Sequence, residues 1–112
     1  RRVLFRSYIL SLLIIRDEHQ QIDEIVDLRQ QIDDLDHQMM ELLAKRMRVC
    51  RQIGRYKRDH NMTVFQANRY NEILAKRGAQ GALYGMTAEF VATVFESIHE
   101  ESVRQQMEII NQ

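Results

Sequence analysis

Across residues 28–57, apolar side chains recur at Leu28, Ile32, Leu35, Met39, Leu42, Val49 and Ile53, in steps of four and three. That rhythm keeps one stripe of an α-helix turned toward a partner, and neither Gly nor Pro interrupts it before Gly54. At ~1.5 Å per residue this stretch spans about 45 Å, more than the ~30 Å width of a small domain. The rest of the chain is too short to cover such a stripe.

Ile22 and Ile25 carry the stripe backward, and the acidic residues of 17–27 suit the positive end of a helix dipole. A first helix is therefore expected from near Glu18 to near Arg58. Residues 58–62, RDHNM, read as a loop, and Thr63 with Gln66 fits a capping box. A second helix would follow over residues 64–77, with Ile73 and Leu74 facing inward. The glycines at 78, 81 and 85 read as the next connection. Thr87 then caps a third helix reaching about Ile110, with Val91, Phe95 and Ile98 on one face. Proline is absent and only four glycines occur, so the expected fold class is all-α, three helices with a long first one.

Two polar intrusions break this pattern. Arg46 falls where the stripe calls for an apolar residue between Leu42 and Val49, and a guanidinium on such a seam is costly unless an anion meets it. On the third helix, Ser102 and then Gln105 or Gln106 occupy the continuation of the apolar face. Taken alone, they read as a solvated last turn.

Composition narrows the function. A chain of 112 residues, 45% hydrophobic and 29% charged, is expected to form one soluble domain. Sixteen Lys and Arg are matched by sixteen Asp and Glu, which speaks against nucleic acid as a partner and leaves the arginines for something small. Cys50 is the only cysteine, so no intrachain disulfide can form, and a reducing, cytoplasmic setting is the simpler assumption. Cys50 itself reads as a packing residue. His19, His37, His60 and His99 lack metal-ligand spacing and read as surface residues, and neither a glycine-rich phosphate loop nor a nucleophile elbow is present. No metal and no cofactor is expected.

Residues 1–16 differ in character. The apolar run at 8–15 is shorter than the ~20 residues a membrane-spanning helix needs. Arg6 and the lack of a small-x-small site speak against a secretory signal. The missing initiator Met suggests a fragment, with residues 1–17 an upstream stub or linker and 18–112 the functional domain.

Helical geometry outlines an anion site. From Arg46, residues Cys50, Ile53 and Lys57 follow at i+4, i+7 and i+11, each within roughly 40° of Arg46 around the axis. Two long cations flank the compact Cys50, with Gly54 beside the row, and can converge on an anion between them. Arg69, early in the second helix with Gln66 one turn before it, adds a third cation near a helix N-terminus. Arg29 lies about 25 Å before Arg46 and points ~100° away, so it reaches that site only from an antiparallel copy in a dimer.

LRQQIDDLD, LLAKRMRVCRQIGRYK, TVFQANR and FESIHEESVRQQ, in this order and spacing, resemble the all-α class of chorismate mutase, over residues 28–106. The resemblance implies an intertwined homodimer of three-helix chains that rearranges chorismate to prephenate in one unimolecular step, without cofactor, in phenylalanine and tyrosine biosynthesis. It implies that Arg46 and the partner protomer's copy of Arg29 hold the two carboxylates with support from Arg69. Lys57 and Gln106 would donate to the ether oxygen, with Ser102 and Gln66 completing the polar lining. Tyr70 stands where the family commonly has Glu, Gln66 where Asp is frequent, and Thr63 where Pro is. These departures fall on recognition of the substrate hydroxyl and leave the cation set untouched. Because family members occur fused to other enzymes, extra residues ahead of the match suggest an upstream DAHP synthase domain. Two other readings use the same residues: an isochorismate pyruvate lyase, or a non-catalytic helical dimerisation or regulatory module.

Overall fold

A computed structural model of the protein describes residues 2–112, the side chains of 2–8 and 11–16 excepted. Among the described residues there are three helices and no strand: α1 (Arg2–Asp59), α2 (Ala67–Leu83) and α3 (Ala88–Ile110). None is long and apolar enough to cross a membrane. The three-helix, all-α expectation holds, and the long element comes first.

The start of α1 differs from expectation, at Arg2 instead of near Glu18. No Gly or Pro stands before Gly54, so nothing stops the helix running back through the acidic segment, which is helix interior and not a first turn. The chain divides into two units, one ending at Leu42 and the other Leu43–Gln112. In the first, Ile22, Ile25, Leu28, Ile32, Leu35 and Met39 form an exposed apolar row, Ile32 and Met39 each keeping 57% of their surface open.

In the second unit, α1 ends in a Schellman motif. Asn61 takes the left-handed conformation (φ 53°), the Met62 amide donates to the Lys57 carbonyl at 2.8 Å, and the Asn61 amide to that of Arg58 at 3.4 Å. The expected capping box at Thr63 is not formed. Thr63 lies in the connection, and α2 is capped by the extended backbone of Gln66 with no side-chain hydrogen bond. The segment is engaged elsewhere, because the Val64 carbonyl accepts from Lys57 Nζ at 2.7 Å.

Gly78 and Gly81 do not end the second helix near Arg77 as their sequence suggests; both are buried inside α2, which continues to Leu83. Their lack of a side chain serves close packing on α3. A Cβ at Gly81 would strike the Val91 side chain, whereas one at Gly78 would meet Ala88 at an ordinary 3.8 Å. The turn itself falls on Gly85, whose φ of 76° suits glycine. Thr87 caps α3 as expected, its hydroxyl accepting from the Phe90 amide at 3.2 Å. Among the described residues, Val91, Ile109 and Cys50 are the buried apolar side chains.

Opposite outcomes follow for the two helical glycines. Gly78→Ala should raise stability by up to ~1 kcal/mol through helix propensity. Gly81→Ala should lower it, since overpacking against a stiff β-branched neighbour costs ~1–3 kcal/mol. Urea denaturation of the two variants beside the parent chain measures both.

Candidate active site

All elements of the site lie in the second unit. The last turns of α1 present Arg46, Cys50, Ile53 and Lys57 on one face, as their spacing requires. From α3 come His99, Ser102, Val103 and Gln106, and from the start of α2 and the residues before it Val64, Gln66, Arg69 and Ile73. Together they line a cavity of about 290 Å³, at the small end of the ~300–1,000 Å³ typical of small-molecule sites.

α1 and α3 approach closely because Gly54 has no side chain. A Cβ there would lie 3.1 Å from the Gln106 Cα and 3.3 Å from its Cγ. This contact lets α3 reach both cations of α1. Arg46 Nη1 donates to Ser102 Oγ at 2.8 Å, and Ser102 in turn donates to the Ile98 carbonyl at 2.9 Å. Cys50 Sγ stands 3.3 Å from the same hydroxyl. Lys57 Nζ donates to Gln106 Oε1 at 3.0 Å as well as to Val64. Ser102 and Gln106 keep only 5% and 7% of their surface, so the solvated last turn that their polarity suggested is not what forms. They are buried because each answers a cation.

These partners are neutral. No Asp or Glu stands among the residues lining the cavity, and Arg69, which is exposed, pairs at 3.0 Å with Glu72 outside it. The positive charge of Arg46 and Lys57 is therefore uncompensated within the cavity. Burial lowers the Lys57 ammonium from its ordinary value, an effect that Cys50 opposes. An ammonium has three donors and no acceptor, so Lys57 makes Gln106 present its oxygen and leaves the amide N–H groups for a ligand. With two donors engaged, Lys57 keeps a third.

Every site residue expected from sequence lines this cavity except Arg29, which is exposed on α1 in the first unit. His99 is not the surface residue that its spacing suggests. It is half-buried, it lines the cavity, and its ring packs on Tyr70 with centroids 4.4 Å apart and on Phe65 at 5.8 Å. Burial, then the neighbouring Arg46 and Lys57, hold its pKa below the usual histidine value. The signal for His99 was its place three residues before Ser102, on the same helical face. His19, His37 and His60 are exposed, as expected.

The family model described as chorismate mutase type II matches residues 28–107. Among relatives, the T-protein of Haemophilus influenzae is 28% identical over 81 residues, 72% of this chain and 22% of that protein. The 4-amino-4-deoxychorismate mutase of Streptomyces pristinaespiralis is 28% identical over 82 residues, 73% of this chain and 64% of the relative. A bifunctional chorismate mutase/prephenate dehydratase of Buchnera aphidicola is 29% identical over 100 residues, 89% of this chain and 23% of that enzyme. The chain thus spans under a quarter of the T-protein and the bifunctional enzyme, and just under two thirds of the Streptomyces mutase. With the three helices, and two α1 cations answered by neutral groups of α3, the match over most of its length makes this chain a member of the chorismate mutase type II family.

Proposed function

We propose that this chain rearranges chorismate to prephenate, as a step of phenylalanine and tyrosine biosynthesis in the cytoplasm. The carrying observation is the cavity in which Arg46 and Lys57 are both held by neutral partners, so that its positive charge is left for a bound dicarboxylate. In the rearrangement the ether C–O bond breaks as a C–C bond forms within one molecule, and negative charge grows on the ether oxygen. No proton transfer or nucleophile is required. A catalyst can act by holding the compact reactive conformer and by aiming donors at that oxygen. Arg46 takes a carboxylate, with Arg69 and Gln66 at the rim and Ser102 fixing the guanidinium. The third donor of Lys57 and the amide N–H of Gln106 face the ether oxygen.

The second carboxylate is assigned to Arg29 of the partner protomer in a homodimer. Support comes from the exposed apolar row on the first part of α1, a surface of the kind that marks an interface, and from Arg29 lying beside Leu28 and one turn from Ile32 on that row.

Purified protein should convert chorismate to prephenate, followed by loss of chorismate absorbance. Lys57→Ala should slow it about 10²–10³-fold, the loss typical of one transition-state donor. Conversion of isochorismate with no action on chorismate would replace this reading with the lyase.

The rate should be flat around neutrality, because the Gln106 amide donates at any pH. It should fall on the alkaline side at a pH below the ordinary lysine value of 10.5, since a lowered pKa means that Lys57 loses its proton earlier as pH rises. Gln106→Glu should confine activity to the acid side, where the carboxyl is protonated and can still donate. A pH profile of kcat for both proteins measures this.

Arg29→Ala and Arg46→Ala should each be inactive alone. Mixed and allowed to exchange subunits, they should recover about a quarter of parental activity, because half of the dimers are then mixed and each carries one intact site. Exchange without recovery overturns the shared site.

A further inference from the structure

α1 is divided in charge. Residues 17–42 hold nine Asp or Glu and one Arg, while residues 43–58 hold seven Lys or Arg and no acid, so the zero net charge conceals two opposed halves. The division falls where the chain splits into its two units, at Leu42 and Leu43. It is sharpest on one flank of the apolar row. There Asp27, Asp34, Glu41, Arg48 and Arg55 follow at intervals of seven, and all are exposed. Residues seven apart stand nearly above one another on a helix, so these five form one column, acidic and then basic. Among the described residues, Asp27, Asp34, Arg48 and Arg55 enter no ion pair within the chain.

We infer that this column is a docking surface for a second copy of α1 running antiparallel, with Asp27 facing Arg55 and Asp34 facing Arg48 across the interface. The inference deepens the homodimer reading of the site and rests on it. A parallel pair would set Asp against Asp and Arg against Arg, whereas the antiparallel pair sets opposite charges together, and this selects both the partner and its direction. The apolar row fixes the register. Antiparallel pairing brings Ile25 against Tyr56, Leu28 against Ile53, Ile32 against Val49 and Met39 against Leu42, one residue of each pair from either copy. All eight are exposed in the single chain. Leu35 falls against Arg46, whose guanidinium turns away to Ser102. A slip of seven residues one way puts Ile25 and Leu28 past the end of α1 at Asp59, and the opposite slip puts Ile53 and Tyr56 against Gln21 and Glu18. In the unslipped register Asp27 lies level with Arg55 and Asp34 with Arg48, so apolar and charged patterns agree. Glu41 meets its own copy at the two-fold axis, and His37 Nε2 of its own chain already stands 2.7 Å from it. The same register brings Arg29, next to Leu28, to the level of Ile53 in the other copy, between Arg46 and Lys57. The flanking charges thus act as positioning residues for the shared site.

The test is charge reversal read by sedimentation equilibrium at low ionic strength. One variant carries Asp27→Arg with Asp34→Arg, the other Arg48→Asp with Arg55→Asp. Each alone should dimerise about tenfold or more weakly than the parent, since four exposed pairs per dimer turn from attraction to repulsion. An equimolar mixture of the two, in which every facing pair is again opposite, should recover parental affinity as a heterodimer. So should a single chain carrying all four substitutions. The differences should shrink in ~1 M salt, where the screening length falls to ~3 Å. The recovery separates facing charges from a general loss of fold. Reversed variants that dimerise like the parent, or a mixture that does not recover, overturn the pairing. A monomeric parent chain overturns it together with the shared site. Chorismate turnover is measured on the same samples: a parent that dimerises with this charge dependence but lacks turnover overturns the mutase reading alone.

Discussion

The site depends on a mismatch of spacing between two helices. Arg46 and Lys57 are eleven residues apart on α1, about 16 Å along the axis, while the groups that hold them, Ser102 and Gln106, are four apart on α3, about 6 Å. The two long side chains must therefore lean toward each other to make their hydrogen bonds. Convergence brings like charges closer than their backbones are, which is unfavourable in a partly buried setting. Had α3 offered carboxylates, the pairs would have been self-sufficient. Ser102 and Gln106 fix geometry without cancelling charge, so a chain of zero net charge folds around a local positive excess.

That arrangement needs α1 and α3 in near contact, and the requirement falls on Gly54. Its missing Cβ sets the separation opposite Gln106, at the level of the chemistry. Gly81 has the same relation to Val91 between α2 and α3. Both lie inside helices, where glycine weakens the helix relative to alanine by ~1 kcal/mol. The fold accepts that loss at two points in return for close packing around the cavity.

Much of this was legible beforehand. The four-three stripe identified the long helix, Thr87 marked the start of α3, and the i, i+4, i+7, i+11 row placed Arg46, Cys50, Ile53 and Lys57 on one face. What was not legible shares one cause, which is that a local signal was outvoted by a tertiary contact. Gly78 and Gly81 read as helix breakers until α3 is packed on them. Thr63 and Gln66 read as a capping box until Val64 is drawn to Lys57. By pattern alone Ser102 and Gln106 read as a solvated last turn, though the resemblance set both in the site, and His99 reads as surface, because a buried polar residue is recognisable from its own helix only once its partner or its cavity is known.

Lys57 ends α1 with its carbonyl, which accepts from the Met62 amide, and reaches forward with its ammonium to the Val64 carbonyl. Both ends of the residue are thus tied to the peptide that follows within seven positions. The short link between α1 and α2, which by composition invites insertions and deletions, is in effect a ruler measured from the ammonium. Adding or removing a residue there would reposition a charge in the cavity, so tolerance to length change must be sought elsewhere along the chain.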